Sequence, residues 1–283
     1  MKQRSPFHTS PPNEGECIHL AAQAYRILVA EDNVVNLKLI NRILVKLNHI
    51  PESAHNGYEV LQLLQHKRFD FILMDIQMPR MDGLETARHI IATIEPSIRP
   101  IMIAMTANAM KGDKEQCLEA GMNDYLSKPI IIKELEKKLF HWGEQRRGKL
   151  EPTENRPAQI HQHHEPSHIM VSLERMELLR KLQPNHNSLV DLFHLFFAQC
   201  KQLEDRLRHQ FNEANFQGML ESSHSLRGAC LNYGALHVAA LCGDLEKRLH
   251  NKEWDDLSEG IRLIETSLEL TTYRITEWIQ AQA

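Results

Sequence analysis

Between Arg26 and about Trp142, the sequence alternates five times between a short β-rich apolar run and a helical pattern. The apolar runs are nearly uninterrupted, as expected for parallel strands that are buried on both faces. This alternation predicts an α/β domain with a doubly wound, five-stranded parallel sheet that helices cover on both faces. The predicted strands are Ile27–Ala30, Ile50–Ala54, Phe71–Met74, Ile101–Ala104 and Asp124–Leu126.

The chain around this α/β domain, which we place at residues 25–144, divides into three further regions. Residues 1–24 are rich in Pro, Ser and Asn without periodicity, which predicts a disordered lead-in. Residues 145–170 are rich in Gln, His, Glu and Pro, which indicates a flexible linker that keeps its two ends within roughly 30 Å. In residues 171–283 apolar positions recur with helical spacing, so we predict an all-α four-helix bundle.

Composition excludes several classes of function. The formal net charge of -4, without a concentrated Lys/Arg stripe, argues against nucleic-acid binding. No apolar run is long enough for a membrane span or a signal peptide, so we expect a cytoplasmic protein without membrane insertion. The five cysteines are widely spaced and form no CxxC pair, which is typical of reduced, buried thiols.

Chemistry-bearing residues follow four of the predicted strands, at the point where each strand ends. Glu31 and Asp32 follow the first strand, Asp75 the third, Thr106 the fourth and Lys128 the fifth. Because the carboxyl ends of parallel strands meet at one edge of a sheet, we expect these side chains to lie together. Neighbouring carboxylates repel one another unless a cation intervenes, and their hard oxygen atoms suit Mg²⁺. The sequence therefore predicts a Mg²⁺ site at this edge.

A carboxylate beside Mg²⁺ can act as a nucleophile toward phosphorus. Asp75 is the candidate nucleophile, and Lys128 offers a compact positive charge for the phosphoryl oxygens. The hydroxyl of Thr106 offers a hydrogen bond to the same group. The site thus favours phosphoryl transfer.

These segments resemble the receiver domain of two-component response regulators. The likeness covers roughly residues 25–142, and its motifs are Ile27–Asn33, Met74–Gly83, Met105–Ala107 and Lys128–Pro129. It implies the flavodoxin-like form of the doubly wound sheet.

The resemblance also implies a role for each site residue. Asp75 would be the phosphoacceptor, Thr106 and Lys128 would contact the phosphoryl group, and Thr106 would form a conformational switch with Tyr125. The implied metal ligands are Glu31, Asp32, Asp75 and the backbone carbonyl of Gln77.

Gln77 also bears on a competing reading. A Mg²⁺-dependent phosphatase with an aspartate nucleophile uses a second aspartate two residues later as its general acid, and Gln77 cannot supply that proton. The receiver resemblance implies instead that Gln77 and Asn108 tune the lifetime of the aspartyl phosphate.

One histidine of the second domain has unusual neighbours. Arg227 and Gly228 follow His224 at i+3 and i+4, so all three share one face of a helix. A cation beside the imidazole can hold a phosphoryl group, and glycine leaves room for a docking partner. Glycine in the middle of a helix destabilises the helix by about 1 kcal/mol relative to alanine, so we expect Gly228 to have a functional reason of this kind.

This region resembles a histidine phosphotransfer domain, in which one helix of a four-helix bundle displays the phosphorylated histidine. The likeness covers roughly residues 173–278 and continues through Gly234–Ala235 and Cys242–Glu246. It implies that His224 is a second phosphoacceptor. Arg227 stands where the family usually has lysine, which preserves the charge and bears on the choice of partner.

Together the two domains predict a phosphorelay protein that carries phosphoryl groups and is not itself a kinase. Asp75 would accept the group from a histidine kinase in trans, and His224 would receive or donate it in exchange with a downstream response regulator or a separate phosphotransfer protein. Two alternatives stay open, a phosphorylation-gated binding module and a phosphate sink that hydrolyses the Asp75 phosphate. The domain order resembles the C-terminal part of hybrid sensor kinases, so the sequence also leaves open whether the chain is complete.

Overall fold

The computed structural model describes residues 24–107, 111–148 and 170–282. Most of the predicted lead-in and linker, and Asn108, lie outside these residues. The first domain consists of β1 (Arg26–Ala30), α1 (Val34–Lys46), β2 (Ile50–Ala54), α2 (Gly57–His66), β3 (Phe71–Asp75), α3 (Gly83–Thr93), β4 (Ile101–Thr106), α4 (Lys111–Glu119), β5 (Asp124–Ser127) and α5 (Ile132–Arg146). The second consists of α6 (Leu173–Leu182), α7 (His186–Asn212), α8 (Phe216–Tyr233), α9 (Leu236–Asn251) and α10 (Leu257–Gln280).

The five strands form one parallel sheet with the order β2-β1-β3-β4-β5. This order confirms the predicted doubly wound sheet. Strands β3 and β4 run further than predicted, because Asp75 pairs with Met105 and Thr106 pairs with Ser127. Two of the candidate site residues are therefore the last residues of their strands.

Alternate side chains of the strands belong to two separate hydrophobic cores. Ile27 and Val29 of β1 belong to the cluster that includes α1 and α5, whereas Leu28 and Ala30 belong to the cluster on the opposite face with α2 and α3. Successive strand residues point to opposite faces, so both faces of the sheet are covered.

The second domain is a helical bundle, as predicted. Helix α7 contacts α8 and α10, and α9 contacts the same two helices, which closes a four-helix arrangement; the short α6 packs on α7 and α8. Phe196 and Tyr233 stack with their ring centroids 4.5 Å apart in its core. Helix α8, which carries His224, thus lies between α7 and α9.

The two domains are docked through α1. This helix contacts α6, α7 and α8, and its buried apolar side chains belong to the same cluster as the core of the bundle. Helix α1 therefore covers one face of the sheet and also forms the main contact with the second domain.

Two composition-based expectations can be compared with the described residues. Every helix among them is too short or too polar to cross a lipid bilayer. Cys117, Cys200, Cys230 and Cys242 are buried free thiols, as expected for packing residues, and Cys17 lies outside the described part of the chain.

Candidate functional site

Lys128 lies between two buried carboxylates at the carboxyl edge of the sheet. Its Nζ is 2.7 Å from Asp75 Oδ2 and 2.9 Å from Glu31 Oε2. The three side chains are at most 3% exposed, so their charges are hardly screened by water. The fold thus brings together residues from the ends of β1, β3 and β5, as the sequence predicts.

The same carboxylates can hold a metal ion. One oxygen atom each from Glu31, Asp32 and Asp75 lies within 4.8 Å of the others. Asp75 Oδ1 is buried and has no hydrogen-bond partner among the described residues. A buried carboxylate oxygen without a partner is costly, and a hard divalent cation would satisfy it. The donor set therefore fits Mg²⁺.

Burial and mutual repulsion disturb the titration of these groups. Burial, with repulsion from Asp75 and Asp32, raises the pKa of Glu31 to about 8 against the attraction of Lys128. Burial and the charge of Asp75 raise the pKa of Asp32 to about 6. Burial alone would lower the pKa of Lys128, but the charges of Asp75 and Glu31 outweigh burial and raise it. The lysine therefore stays charged while the carboxyl groups compete for protons or another cation.

Backbone contacts hold the site in place. A β-carbon at Gly83 would lie 2.2 Å from the carbonyl oxygen of Asp75, so only glycine allows α3 to begin this close to the strand end. On the other side, the side chain of Asn33 accepts hydrogen bonds from the backbone N–H groups of Val35 and Asn36 and caps α1. These contacts explain the Asn and Gly at the ends of the motifs Ile27–Asn33 and Met74–Gly83.

The remaining predicted residues of the first domain lie around this centre. Thr106 is buried, and the side chain of Gln77 is exposed. Tyr125 is half-buried, with the ammonium groups of Lys114 and Lys138 at 5.2 and 5.1 Å from its ring centroid. Burial raises the pKa of its hydroxyl. The metal-ligand role of the Gln77 carbonyl and the switch role of Tyr125 stay predictions.

His224 lies in the middle of α8 beside a carboxylate from α9. Its Nδ1 is 3.8 Å from Glu246 Oε2, and the Nη1 of Arg227 is 2.9 Å from the same oxygen atom. The imidazole is 14% exposed, so it remains partly accessible beside this carboxylate. The sequence placed Arg227 beside His224 but assigned no role to Glu246.

Gly228 faces the first domain. A β-carbon there would lie 3.6 Å from Asn36 Nδ2 and 3.7 Å from Lys128 Nζ, which is ordinary van der Waals contact. A side chain larger than a methyl group would press on these neighbours, and the role of glycine in leaving room for a docking partner stays a prediction. Alanine would fit without displacing either neighbour.

A cavity of about 370 Å³ joins the two candidate acceptors. Asp75, Thr106 and Gln77 line it from the first domain, and His224 and Arg227 line it from the second. The structure therefore brings the two predicted centres to one shared space.

Comparisons with known proteins agree with this architecture. The profile of the response regulator receiver domain family matches residues 27–140, and the profile of the Hpt domain family matches residues 191–274. The chain carries a receiver domain followed by an Hpt domain. These two domains together match a phosphorelay signalling protein.

Relatives that align with most of this chain are much longer than it is. The signal transduction histidine-protein kinase BarA of Escherichia coli (strain K12) is 29% identical over 248 residues, which cover 86% of this chain and 26% of BarA. The sensor protein GacS of Pseudomonas syringae pv. syringae is 28% identical over 256 residues, which cover 87% of this chain and 28% of GacS. The chain thus spans about a quarter of the length of these curated relatives.

One solved structure is similar to the receiver domain alone. It is the receiver domain of the sensor histidine kinase PA1611 from Pseudomonas aeruginosa PAO1, with a magnesium ion coordinated in its active site cleft. The identity is 40% and the TM-score is 0.39, and the match covers 42% of this chain and 98% of that domain.

Sequence reasoning missed three polar side chains where the receiver and Hpt domains meet. Asn36, Asn232 and Arg175 are buried there and form hydrogen bonds across the interface. A signal for two of them exists in the sequence. Asn36 is a polar residue within the apolar stripe of α1, and Asn232 follows His224 at i+8 and Gly228 at i+4, on the same stripe of α8.

Proposed function

We propose that Asp75 accepts a phosphoryl group from a histidine kinase in trans and exchanges it with His224 of the same chain. The observation that carries this proposal is that both side chains line one cavity of about 370 Å³. Two sites on one chain also meet at an effective concentration of order 1 mM when the connection is short and flexible. Phosphoryl exchange within the chain would then be faster than exchange between dilute molecules.

In the first step a carboxylate oxygen of Asp75 attacks the phosphorus atom of the donor phosphohistidine. A P–O bond forms while the P–N bond breaks, and the donor imidazole keeps the electron pair and takes a proton. Lys128, held beside Asp75, balances the charge on the phosphoryl oxygens, and the hydroxyl of Thr106 donates to one of them. The products are an aspartyl phosphate and a neutral histidine.

Glu31, Asp32 and Asp75 would hold Mg²⁺ in this step, with the backbone carbonyl of Gln77 as a further ligand. The bound ion supplies positive charge beside the phosphoryl oxygens. Asp75 Oδ1, which has no hydrogen-bond partner within the described ranges, and the clustered carboxylates support this choice of cation. The raised pKa of Glu31 means that protons compete for the same oxygen atoms.

In the second step an imidazole nitrogen of His224 attacks the phosphorus atom of the aspartyl phosphate. A P–N bond forms, the P–O bond breaks, and the Asp75 carboxylate leaves with the electron pair. Glu246 Oε2 lies 3.8 Å from Nδ1, so Nε2, on the other side of the ring, is the candidate nucleophile. The guanidinium group of Arg227 supplies positive charge beside the phosphoryl group when that group is on the Hpt domain.

The chain would therefore act as a carrier whose donor and final acceptor are other proteins. A histidine kinase would supply the phosphoryl group, and a response regulator would take it from His224. Because the chemistry is reversible, the same path can run from His224 to Asp75, where hydrolysis would remove the group.

The experiment that decides between these roles is labelling by an acyl phosphate donor with Mg²⁺ in the wild type, Asp75→Asn and His224→Gln. Base-labile aspartyl phosphate and base-stable phosphohistidine are counted separately. We expect both in the wild type, neither in Asp75→Asn, and only the base-labile form in His224→Gln. Label confined to Asp75 in the wild type would reject the exchange and favour a gated binding module or a phosphate sink.

A mixing experiment separates exchange within a chain from exchange between chains. Asp75→Asn and His224→Gln chains are combined, so that transfer must cross between molecules. At micromolar protein we expect this transfer to be slower than in the wild type by roughly 10²- to 10⁴-fold. Equal rates that rise with protein concentration would show that the chain exchanges its group only in trans.

A further inference from the structure

Two asparagine side chains meet at the centre of the docked interface. Asn232 Nδ2 of α8 donates a hydrogen bond of 3.0 Å to Asn36 Oδ1 of α1. Each residue is 1% exposed. A buried amide is costly unless it is bonded, so this contact requires a matched partner on the other domain.

The direction of this bond is fixed from the receiver side. Asn36 Nδ2 donates to Glu31 Oε1 at 2.8 Å, and the ionised form of Glu31, which is the form that would bind a metal, only accepts hydrogen bonds. Asn36 therefore presents its Oδ1 to Asn232, and Asn232 donates its hydrogen bond through Nδ2. A carboxylate in place of the Asn232 amide would face an oxygen atom that cannot turn away.

The other end of Asn232 reaches the loop that follows Lys128. Asn232 Oδ1 accepts a long hydrogen bond of 3.4 Å from the backbone N–H of Ile130. Arg175 Nη1 donates to the backbone carbonyl of Ile130 at 2.9 Å, and its Nε donates to the carbonyl of Asn232 at 2.7 Å. Both backbone groups of Ile130 are thus bonded to the Hpt domain.

The two halves of this network differ in what they can recognise. A receiver domain with any residue other than proline at the Ile130 position offers the same backbone N–H and carbonyl groups. The half at Asn36 depends on a side chain that must donate to Glu31 and accept from Asn232 at once. Only this half can discriminate between one receiver domain and another.

We propose that the Asn36–Asn232 pair determines which receiver domains the Hpt domain accepts, whereas Arg175 and the Ile130 backbone form a general docking contact. The partner that fits is a receiver domain with an amide side chain at the Asn36 position. This inference rests on the proposed exchange between Asp75 and His224, because docking matters to the relay only if the group crosses this interface.

The experiment is a double-mutant cycle on the transfer step in the full chain. The chain is loaded on Asp75, the donor is removed, and phosphohistidine formation is followed, so the loading rate does not enter. Each single change, Asn36→Ala or Asn232→Ala, leaves a buried group unpaired and should slow transfer roughly 5- to 150-fold. The double variant should be no slower than the slower single variant, since both ends of the bond are then gone.

A change of polarity gives a second readout that loss of packing alone would not produce. Asn232→Asp is nearly isosteric but cannot donate to Asn36 Oδ1, so it should slow transfer more than Asn232→Ala does. Asn41 of α1 provides the matched control, because it bonds within the receiver domain to Ser53. Asn41→Ala should transfer at the wild-type rate and combine with Asn232→Ala without coupling.

Thermal unfolding of every variant shows that the domains remain folded. Independent, multiplicative effects of Asn36→Ala and Asn232→Ala, or wild-type transfer by Asn232→Asp, would overturn the inference. If the wild type itself forms no phosphohistidine, the proposed function fails instead, so the two failures are distinguishable.

Discussion

The two candidate acceptor sites are constructed in opposite ways. The Asp75 site draws its residues from the ends of separate strands, from Glu31 to Lys128, and only the folded sheet brings them together. His224, Arg227 and Gly228 lie within one turn of α8. One site therefore depends on the whole receiver domain, whereas the other depends mainly on a single helix and its neighbour.

The cations of the two sites also differ in how deeply they are buried. The side chain of Lys128 is 2% exposed and lies between two carboxylates, whereas that of Arg227 is 21% exposed and pairs with Glu246. Buried charges are costly to leave unpaired, while charges near the surface are relieved by water. We therefore expect Lys128 to contribute more to the stability of its domain than Arg227 does.

Removing each cation in turn tests most directly whether Lys128 and Arg227 differ in their contribution to stability. In metal-free buffer at pH 8, Lys128→Met should lower the free energy of unfolding by about 3 to 5 kcal/mol, because buried carboxylates lose their counter-ion. Arg227→Met should cost no more than about 2 kcal/mol, since water reaches that pair. Urea unfolding measures both. Equal losses would mean that the two sites are electrostatically alike.

Gly228 connects the two sites, because it belongs to α8 but faces the receiver domain. Gly228→Ala should leave transfer from Asp75 to His224 near the wild-type rate, since the added methyl group lies at 3.6 to 3.7 Å from its neighbours. Gly228→Leu would press on Asn36 and Lys128, and overpacking of this kind should slow transfer roughly 5- to 150-fold. Rapid quench of Asp75-loaded chains measures the rates.

The alanine variant is the control for helix propensity. Replacing mid-helix glycine by alanine should stabilise α8 by about 1 kcal/mol, so a slow leucine variant cannot be explained by a weakened helix. Transfer that slows equally in both variants would show that docking tolerates no side chain at this position.

Much of the receiver domain was predictable because its signals are local and repeated. Continuous apolar runs fix buried strands, and the residue after each run then lies at the carboxyl edge of the sheet. The prediction that Glu31, Asp75 and Lys128 converge followed from this rule alone, and the structure places them within ion-pair distance.

The contact between the domains was not predictable in the same way. Asn36 and Asn232 are 196 positions apart, and no periodicity relates a residue of α1 to one of α8. Which of the polar residues in the two helices become buried depends on the docking geometry, which the sequence pattern does not specify. Arg175 is similar, because its acceptor at Ile130 is a backbone carbonyl that carries no sequence signal.

A further expected effect concerns pH and Mg²⁺ at the Asp75 site. Because the pKa of Glu31 is raised to about 8 and that of Asp32 to about 6, the metal-free native state binds more protons than the unfolded state up to about pH 8. Its stability should therefore fall as the pH rises from about 4.5 to 8. Mg²⁺ needs the ionised groups, and the fraction of molecules in which both are ionised rises about 100-fold from pH 6 to pH 8. Its affinity should therefore be roughly 100-fold higher at pH 8, about 2.7 kcal/mol.

Urea unfolding with Mg²⁺ or with a chelator, at pH 6, 7 and 8, measures this stabilisation directly. Glu31→Gln is the informative variant, because it removes the group with the higher pKa and should flatten the dependence above pH 7. The histidine site supplies the internal reference: Glu246→Gln lies outside the carboxylate cluster and should leave the Mg²⁺ effect unchanged. A Mg²⁺ stabilisation that is constant across this range in the wild type would mean that protons and metal do not compete at the Asp75 site.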